Sequence, residues 1–187
     1  MEKKLLRSKY RFLRAELDDA ALEEGSLAIA NQCLKLDVWD YGYFHLFMPI
    51  KGKREVNTDY LLQAIMGRDK CPVISRSDFD MLHMHHYLLD EDTIIKPNSH
   101  GIPEPQNGHE IDPRQIDVIF VPLLAYDKRG HRVGYGKGFY DIFLSKCRPQ
   151  AVKIGLSMFE PEEEISDIAE GDVRLDYCVT PNAIYKF

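Results

Sequence analysis

The run from Arg132 to Asp141 (RVGYGKGFYD) is the segment of this chain that points most directly to chemistry. Three glycines alternate with larger residues, which lets a backbone turn sharply and come close to a ligand. The residues that follow, about 139–146, are expected to form a helix. A glycine-rich turn that leads into a helix presents unpaired main-chain N–H groups to an anion, usually phosphate. The segment therefore predicts a nucleotide-binding loop.

The side chains of this loop strengthen that prediction. Arg132 and Lys137 can bind phosphate oxygens, the arginine through its planar fork and the lysine as a point charge. Asp141 lies one turn into the helix, where its carboxylate can hold a magnesium ion. Phe139 and Tyr140 can pack on a flat ring, and core packing is the alternative for Tyr140. The spacing is neither GxxxxGK[ST] nor GxGxxG, so a plain turn remains the alternative to a ligand site.

Basic residues in the predicted first helix, residues 2–16, give a second candidate for phosphate binding. Lys3 and Arg7 are four residues apart and share one helix face. They form either a second phosphate clamp folded against the glycine loop or part of a solvated helix face.

Three acidic residues are further candidates. Glu55 follows a basic turn, where a solvated side chain is the ordinary case. Glu104 lies between two prolines in a stiff loop, which makes it a stronger candidate for a binding role. Asp172 can supply a carboxylate to a metal site or pair with Arg174.

Other metal and redox sites are disfavoured. His83 and His85 share one face of a predicted strand and His86 points away, with no cysteine or carboxylate at zinc-ligand spacing. The four cysteines form no CxxC pair, so they indicate buried thiols in a reducing compartment.

Strands alternating with helices predict an α/β fold. Helices are expected at 2–16, from Asp18 or Asp19 to about 34, at 59–67 after a Thr58 cap, and at 139–146. Strands are expected at 43–48, 72–75, 80–88, 117–124, 152–156 and 177–180, with a long irregular segment at 96–114. The apolar strand 117–124 is typical of a central parallel strand, and the glycine loop follows it. We expect a three-layer, Rossmann-like sandwich with a mainly parallel central sheet.

Composition restricts the class of protein. The chain has 187 residues and a net charge of −6, which argues against a general nucleic-acid binder. No apolar run reaches the roughly 20 residues that cross a bilayer, and the charged N-terminus has no apolar signal core. We expect one domain over residues 1–187, acting in the cytoplasm on small molecules and as a monomer, without nucleic acid or membrane partners.

The ordered motifs resemble the 5-formyltetrahydrofolate cyclo-ligase family. The most specific part is the run from Asp117 to Asp127, followed by Gly130 and the glycine loop. Further matches follow the family order: Lys3, Leu6-Arg7, Phe47-Met48-Pro49, Glu55 to Thr58, Ile102 to Pro105, and Asp172 to Thr180. The resemblance implies a fold like that of sugar-phosphate isomerases and CoA transferases (NagB/RpiA-like). It also implies ATP- and Mg²⁺-dependent cyclisation of 5-formyltetrahydrofolate to 5,10-methenyltetrahydrofolate, with release of ADP and phosphate.

The resemblance also implies site residues. ATP would contact the N-terminal pair and the loop: Lys3, Arg7, Arg132, Val133, Gly134, Tyr135, Gly136, Lys137, Gly138, Phe139 and Tyr140. Among these, Lys137, Arg132 and Tyr140 would serve catalysis, and magnesium would be held by Asp141 and Asp172. The folate would contact Met48, Glu55, Glu104, Tyr135 and Phe139. This chain departs from the family in a longer turn at 51–54 and in Asn57, where an acid is frequent. It also has Phe139 where tyrosine is common, so at this position ring packing is expected and a hydroxyl is not required.

Two other functions remain open at this point. A sugar-phosphate isomerase or CoA-transferase-like enzyme would use Glu104 as its base or nucleophile, an idea that rests on fold analogy. A non-catalytic nucleotide- or folate-binding regulator would keep the pocket without turnover. Dependence on ATP separates these functions from the cyclo-ligase.

Overall fold

The computed structural model describes residues 1–187. The helices are α1 (Lys3–Ala15), α2 (Asp19–Cys33), α3 (Asp59–Met66) and α4 (Phe139–Lys146). The strands are β1 (Tyr43–His45), β2 (Cys71–Asp78), β3 (His83–Leu88), β4 (Ile95–Pro97), β5 (Pro103–Pro105), β6 (Glu110–Ile111), β7 (Val118–Pro122), β8 (Ala125–Tyr126), β9 (Arg132–Val133), β10 (Val152–Leu156), β11 (Tyr177–Val179) and β12 (Ile184–Lys186). None of the four helices combines the length and apolar character of a bilayer-spanning helix.

A central sheet of eight strands runs in the order β12-β11-β10-β7-β1-β2-β3-β6. Its inner strands β11, β10, β7, β1 and β2 are parallel to one another. The edges are antiparallel, with β12 on one side and β3 and β6 on the other. The sheet is therefore mainly parallel, as predicted, and the apolar strand β7 lies inside it.

The buried residues of β7 show why the sheet is covered on both faces. Val118 and Phe120 belong to the core shared with α2 and α3. Ile119 and Val121 point the other way, into the core shared with α4. Because successive strand residues face opposite sides, a fully apolar strand needs helices on both faces. The result is the predicted three-layer α/β sandwich.

Helix starts agree with the sequence in one case and differ in another. Asp18 caps α2, with its side chain accepting from Ala21 N at 2.7 Å. Thr58 does not cap α3 through its side chain, because its hydroxyl donates to the carbonyl of Phe47 at 2.7 Å. Asn57 supplies the acceptor instead, taking a hydrogen bond from Asp59 N at 3.0 Å.

Two segments differ from the sequence expectation. The strand predicted over 43–48 ends at His45, and residues 46–48 continue into a cleft before Pro49. The segment 96–114 is not irregular throughout: β4 pairs with β5, and β6 extends the main sheet. Three of its prolines, Pro97, Pro103 and Pro105, lie at strand ends, where a missing N–H is tolerated.

Candidate active site

A cleft of about 500 Å³ lies beyond the carboxyl ends of the parallel strands β1 and β7. Ligands of open α/β sheets bind at this edge. The cleft is lined by His45 and residues 46–48 after β1, by Ser75 and Ser77 of β2, and by Pro122 of β7. The glycine loop closes one side of it, so the segment predicted to bind a ligand does face a cavity.

The glycine loop is bare backbone between β9 and α4. Gly136 and Gly138 have φ of +95° and +78°, the left-handed region that favours glycine. Main-chain N–H groups from Gly134 to Asp141 donate to no other protein group, and Gly138 caps α4 without a side chain. Lys137 projects from the loop with no hydrogen-bond or ion-pair partner. Unpaired N–H groups beside a free cation suit an anion.

Helix α1 packs against this loop, as one of the two sequence hypotheses required. Leu6 and Tyr10 are buried beside Val133 of β9. Arg7 donates from Nε to the carbonyl of Gly134 at 3.0 Å. Its guanidinium also lies 3.3 Å from where a side chain on Gly136 would begin. The basic face of α1 is therefore part of the cleft and not a fully solvated surface.

Arg132, predicted to contact phosphate, lines the cleft and is also bound to two protein groups. Its side chain is buried, donating to Asp141 Oδ1 at 2.7 Å and to the carbonyl of Val173. Asp141 Oδ1 also accepts from Val173 N at 3.2 Å. These bonds connect the loop to the chain near residue 173, and the phosphate contact of Arg132 stays a prediction.

The two predicted metal ligands are each bound to a cation. Lys3 pairs with Asp172, which also accepts from Ala169 N at 2.8 Å. Partial burial raises the pKa of Asp172, but these hydrogen bonds outweigh it and leave the pKa below its ordinary value. Asp141 Oδ2 and Asp172 Oδ1 accept no hydrogen bond. No group of three or more metal-binding side chains occurs in the chain. Two carboxylates fit a magnesium ion whose other ligands are phosphate and water.

Glu55 lies on another wall of the same cleft and is only 5% exposed. Its Oε1 accepts from the hydroxyl of Tyr135 at 2.7 Å, and its Oε2 accepts from Ile50 N at 2.7 Å. Lys53 stands 4.5 Å from the centre of the Tyr135 ring. Tyr135 belongs to the glycine loop, so one side chain joins the anion-binding loop to the buried acid.

Aromatic rings supply the flat surfaces of the cleft. Phe139 meets Phe79 edge to face at 5.0 Å, and Phe79 stacks on His100 at 4.1 Å. Tyr140 packs edge to face on His45, and burial raises its pKa, so its phenol stays neutral. Met48 adds a flexible apolar side chain. Rings of a substrate can pack among these groups.

A hydrogen-bonded chain of two histidines and a serine reaches the cleft at His45 and Ser75, with His86 buried behind them. Ser75 Oγ lies 2.8 Å from His45 Nε2 and 2.8 Å from His86 Nδ1. Burial lowers the pKa of His45 well below its ordinary value and that of His86 to about 3. Both imidazoles are therefore neutral. His86 points inward while His83 and His85 lie on the other face, as the strand pattern predicted.

Two predicted contacts lie outside the cleft. Val133 is fully buried in the core beneath α1 and pairs with Ala125, so it cannot touch a nucleotide with its side chain. Glu104 is buried behind β2, where its carboxylate accepts from Ser77 N at 2.8 Å. It does not line the cleft. Glu104 belongs to the proline-flanked strand β5, and its bond to Ser77 holds β5 on β2, so the predicted folate contact is not available to it.

The sequence profile of the 5-formyltetrahydrofolate cyclo-ligase family matches residues 1–181. The chain belongs to this family.

Three individual matches agree with it. The 5-formyltetrahydrofolate cyclo-ligase of Haemophilus influenzae is 30% identical over 159 residues, covering 81% of this chain and 83% of that protein. The Mycoplasma genitalium cyclo-ligase is 50% identical over 75 residues, which is 40% of this chain and 44% of that protein. The structure of Aquifex aeolicus 5,10-methenyltetrahydrofolate synthetase superimposes with a TM-score of 0.84 at 26% identity, covering 100% of this chain and 93% of that one.

Membership in the cyclo-ligase family fixes the class of reaction. The chain is an enzyme, a ligase of folate one-carbon metabolism, and its activity is the ATP-dependent cyclisation of 5-formyltetrahydrofolate. The fold is the NagB/RpiA-like one that the resemblance implied. The isomerase, CoA-transferase and regulator alternatives are not favoured.

Sequence reasoning treated Arg14 only as an added positive charge near Lys3 and Arg7, and it missed His45. Arg14 looks like any basic residue of α1, yet it is buried and donates to Tyr135. His45 ends the first strand of the parallel sheet, and a polar residue at the carboxyl end of an apolar strand is the signal that could have found it.

Proposed function

We propose that this cleft binds ATP on the glycine loop and 5-formyltetrahydrofolate against Glu55, and that the two substrates react between them. One observation carries the proposal: free N–H groups and a buried carboxylate face a single cavity, joined by the Tyr135–Glu55 hydrogen bond. Neither group is used up by the fold. The loop N–H groups can bind the triphosphate of ATP, and the Glu55 carboxylate beside them can accept hydrogen bonds from the N–H groups of a pterin.

The loop would bind and orient the phosphates of ATP. N–H groups from Gly134 to Asp141 supply donors, and Lys137 supplies a positive charge that no protein carboxylate neutralises. Arg7 and Lys3 present further charge from α1. Phosphoryl transfer depends on such positioning and charge neutralisation more than on a protein nucleophile. No cysteine lines the cleft, and the Ser75 hydroxyl is already held between two imidazoles.

Glu55 would hold the folate. Each of its oxygens takes one hydrogen bond from the protein, and a carboxylate oxygen has room for another. The N–H donors of a pterin would complete this set. Rings of Phe139 and Tyr140, with Met48, would cover the pterin and exclude water.

The chemistry then takes two steps. The oxygen of the N5-formyl group attacks the γ-phosphorus, an O–P bond forms and the bond to ADP breaks. N10 attacks the activated carbon, loses its proton, and the C–O bond breaks to release phosphate and leave the methenyl bridge. The cleft residues hold the two substrates in line for the first step, which is where an amide oxygen becomes a leaving group.

Magnesium is part of the proposal. Asp141 and Asp172 would hold it through their free oxygens, with phosphate and water as further ligands. When bound, the ion neutralises phosphate charge during transfer. We also propose that residues 1–187 act as one domain, because cleft residues extend from Lys3 to Asp172. We propose that it acts as a monomer, and in the cytoplasm because all four cysteines are free thiols.

The test is the absorbance of 5,10-methenyltetrahydrofolate during turnover, with and without ATP and magnesium. The proposal expects product only when both are present, with ADP formed in equal amount. Product without ATP would reject the phosphoryl-transfer mechanism, and product without any divalent metal would reject the magnesium site. Sedimentation of the active enzyme tests the monomer.

A further inference from the structure

Arg14 is a buried cation that lies outside the cleft. Its residue is 6% exposed, it does not line the cavity, and it makes no ion pair with any carboxylate. Its guanidinium donates to the carbonyl of Leu123 and to the hydroxyl of Tyr135, the latter at 2.9 Å. A buried charge is costly unless it is paired and hydrogen-bonded, so its balancing charge must lie nearby.

The hydroxyl of Tyr135 can be oriented in one way only. Guanidinium groups donate and cannot accept, and an ionised carboxylate accepts and cannot donate. The Tyr135 hydroxyl therefore accepts a hydrogen bond from Arg14 and donates its single hydrogen to Glu55 Oε1 at 2.7 Å. Burial raises the pKa of Tyr135, and the Glu55 charge raises it further, so the phenol keeps this hydrogen.

The three groups form one electrostatic unit. Glu55 also has no direct cation partner among the ion pairs of the chain. The nearest link between its negative charge and the positive charge of Arg14 is the Tyr135 hydroxyl, which is hydrogen-bonded to both. Ile50 N fixes the other oxygen of Glu55 at 2.7 Å. With both oxygens held, the carboxylate has a single orientation relative to the cleft.

We propose that Arg14 is a positioning residue for folate binding, because through the Tyr135 hydroxyl it orients the Glu55 carboxylate that receives the substrate. The proposal rests on the proposed role of Glu55. Two arginines of α1 then have different roles. Arg7 supports the main chain of the ATP loop, while Arg14 supports the folate acid without touching the cavity.

The experiment is a double-mutant cycle on the full chain. Titration calorimetry gives the Kd of 5-formyltetrahydrofolate for wild type, Arg14→Met, Glu55→Gln and the double variant, with Lys4→Met as control because Lys4 is an exposed cation of α1 without partners. Arg14→Met should weaken binding roughly tenfold, as expected when a charged hydrogen-bond donor is lost. In the Glu55→Gln background Arg14→Met should change the Kd of 5-formyltetrahydrofolate by less than about twofold, because the effects of substitutions at coupled sites are non-additive.

Steady-state kinetics adds a readout that a general packing defect would not give. Arg14→Met should raise the KM for folate and leave both kcat and the KM for ATP within about twofold, because the Glu55 carboxylate that it orients is proposed to bind folate, while the main-chain N–H groups of the ATP loop are untouched. An unchanged folate Kd, an equal loss in both backgrounds, or equal shifts in both KM values would overturn the proposal.

A second variant protects the test against misfolding. If Arg14→Met does not fold, as judged by circular dichroism, Tyr135→Phe replaces it, since it removes the bridging hydroxyl and keeps the ring. It should show the same tenfold loss and the same non-additivity with Glu55→Gln. If Glu55→Gln alone leaves folate binding unchanged, the proposed role of Glu55 fails. If Glu55→Gln weakens binding and neither Arg14→Met nor Tyr135→Phe does, only the role of Arg14 fails.

Discussion

Replacing the three loop glycines by alanine, one at a time, should give three different stabilities. Gly134 has an ordinary φ and nothing within 4 Å of an added methyl group. Gly138 has the same open space but a φ of +78°. Gly136 has a φ of +95°, and the Arg7 guanidinium lies 3.3 Å from the new carbon. The series separates backbone strain from contact with Arg7.

The magnitudes follow from these constraints. Alanine in left-handed backbone costs about 1–2 kcal/mol, and Arg7 displaced from the Gly134 carbonyl loses a hydrogen bond of about 1 kcal/mol. In every case alanine also stabilises the folded state by about 0.4–1 kcal/mol, because it lowers the conformational entropy of the unfolded chain. The free energy of unfolding should therefore be unchanged or slightly raised in Gly134→Ala. It should fall by about 1 kcal/mol in Gly138→Ala and by about 2 kcal/mol in Gly136→Ala.

Urea and thermal unfolding of the ligand-free variants measure this order. For a chain of this size about 1 kcal/mol corresponds to about 2–4 °C, so Gly136→Ala should melt roughly 5–10 °C below Gly134→Ala. Gly136→Ala should also raise the KM for ATP, because the loop and Arg7 move together. Equal stabilities for the three variants, or Gly134→Ala as the least stable, would refute the reasoning.

Three further predictions concern single side chains. Lys137→Ala should lower kcat about 10²–10³-fold without changing the melting temperature, because Lys137 is exposed and bonds to no protein group; unchanged product absorbance would remove it from the mechanism. Glu104→Gln should lower the melting temperature by weakening its bond to Ser77 and leave the folate KM unchanged, and a raised KM would return it to the folate site. Burial holds the pKa of His86 at about 3, so between that value and about 6.5 the unfolded chain binds the extra proton and stability rises with pH. From pH 6.5 to 5, urea unfolding should show wild type losing about 2 kcal/mol more than His86→Asn; equal losses would contradict this.

The sequence predicted those parts of the fold that depend on residues close together in the chain. Helix α4 and strand β10 begin and end where predicted, at Phe139–Lys146 and Val152–Leu156. The apolar run of β7 indicated a strand covered on both faces. Strand β12 and the β4–β5 pair were missed, because strands of three residues, two of them bearing prolines, are too short to show an alternating pattern and depend on pairing with a neighbour.

The site divides in the same way. The glycine loop was found because its chemistry lies in consecutive residues. Arg11 and Arg14 look alike in sequence, and only packing on Tyr135 and Leu123 makes one of them buried. Glu104 misled for the opposite reason: its proline-flanked segment is a short strand, β5, and the acid points inward toward Ser77. A side chain's neighbours, set by the folded sheet, decide these roles.

The shared cavity has a consequence for inhibition. Because the ATP loop and Glu55 face one space of about 500 Å³, a compound that joins a phosphate mimic to a pterin mimic needs only a short linker. Binding of one half would then hold the other at an effective concentration on the order of millimolar. Such a bisubstrate compound would compete with both substrates at once, and its selectivity over other ATP-dependent enzymes would come from the pterin half.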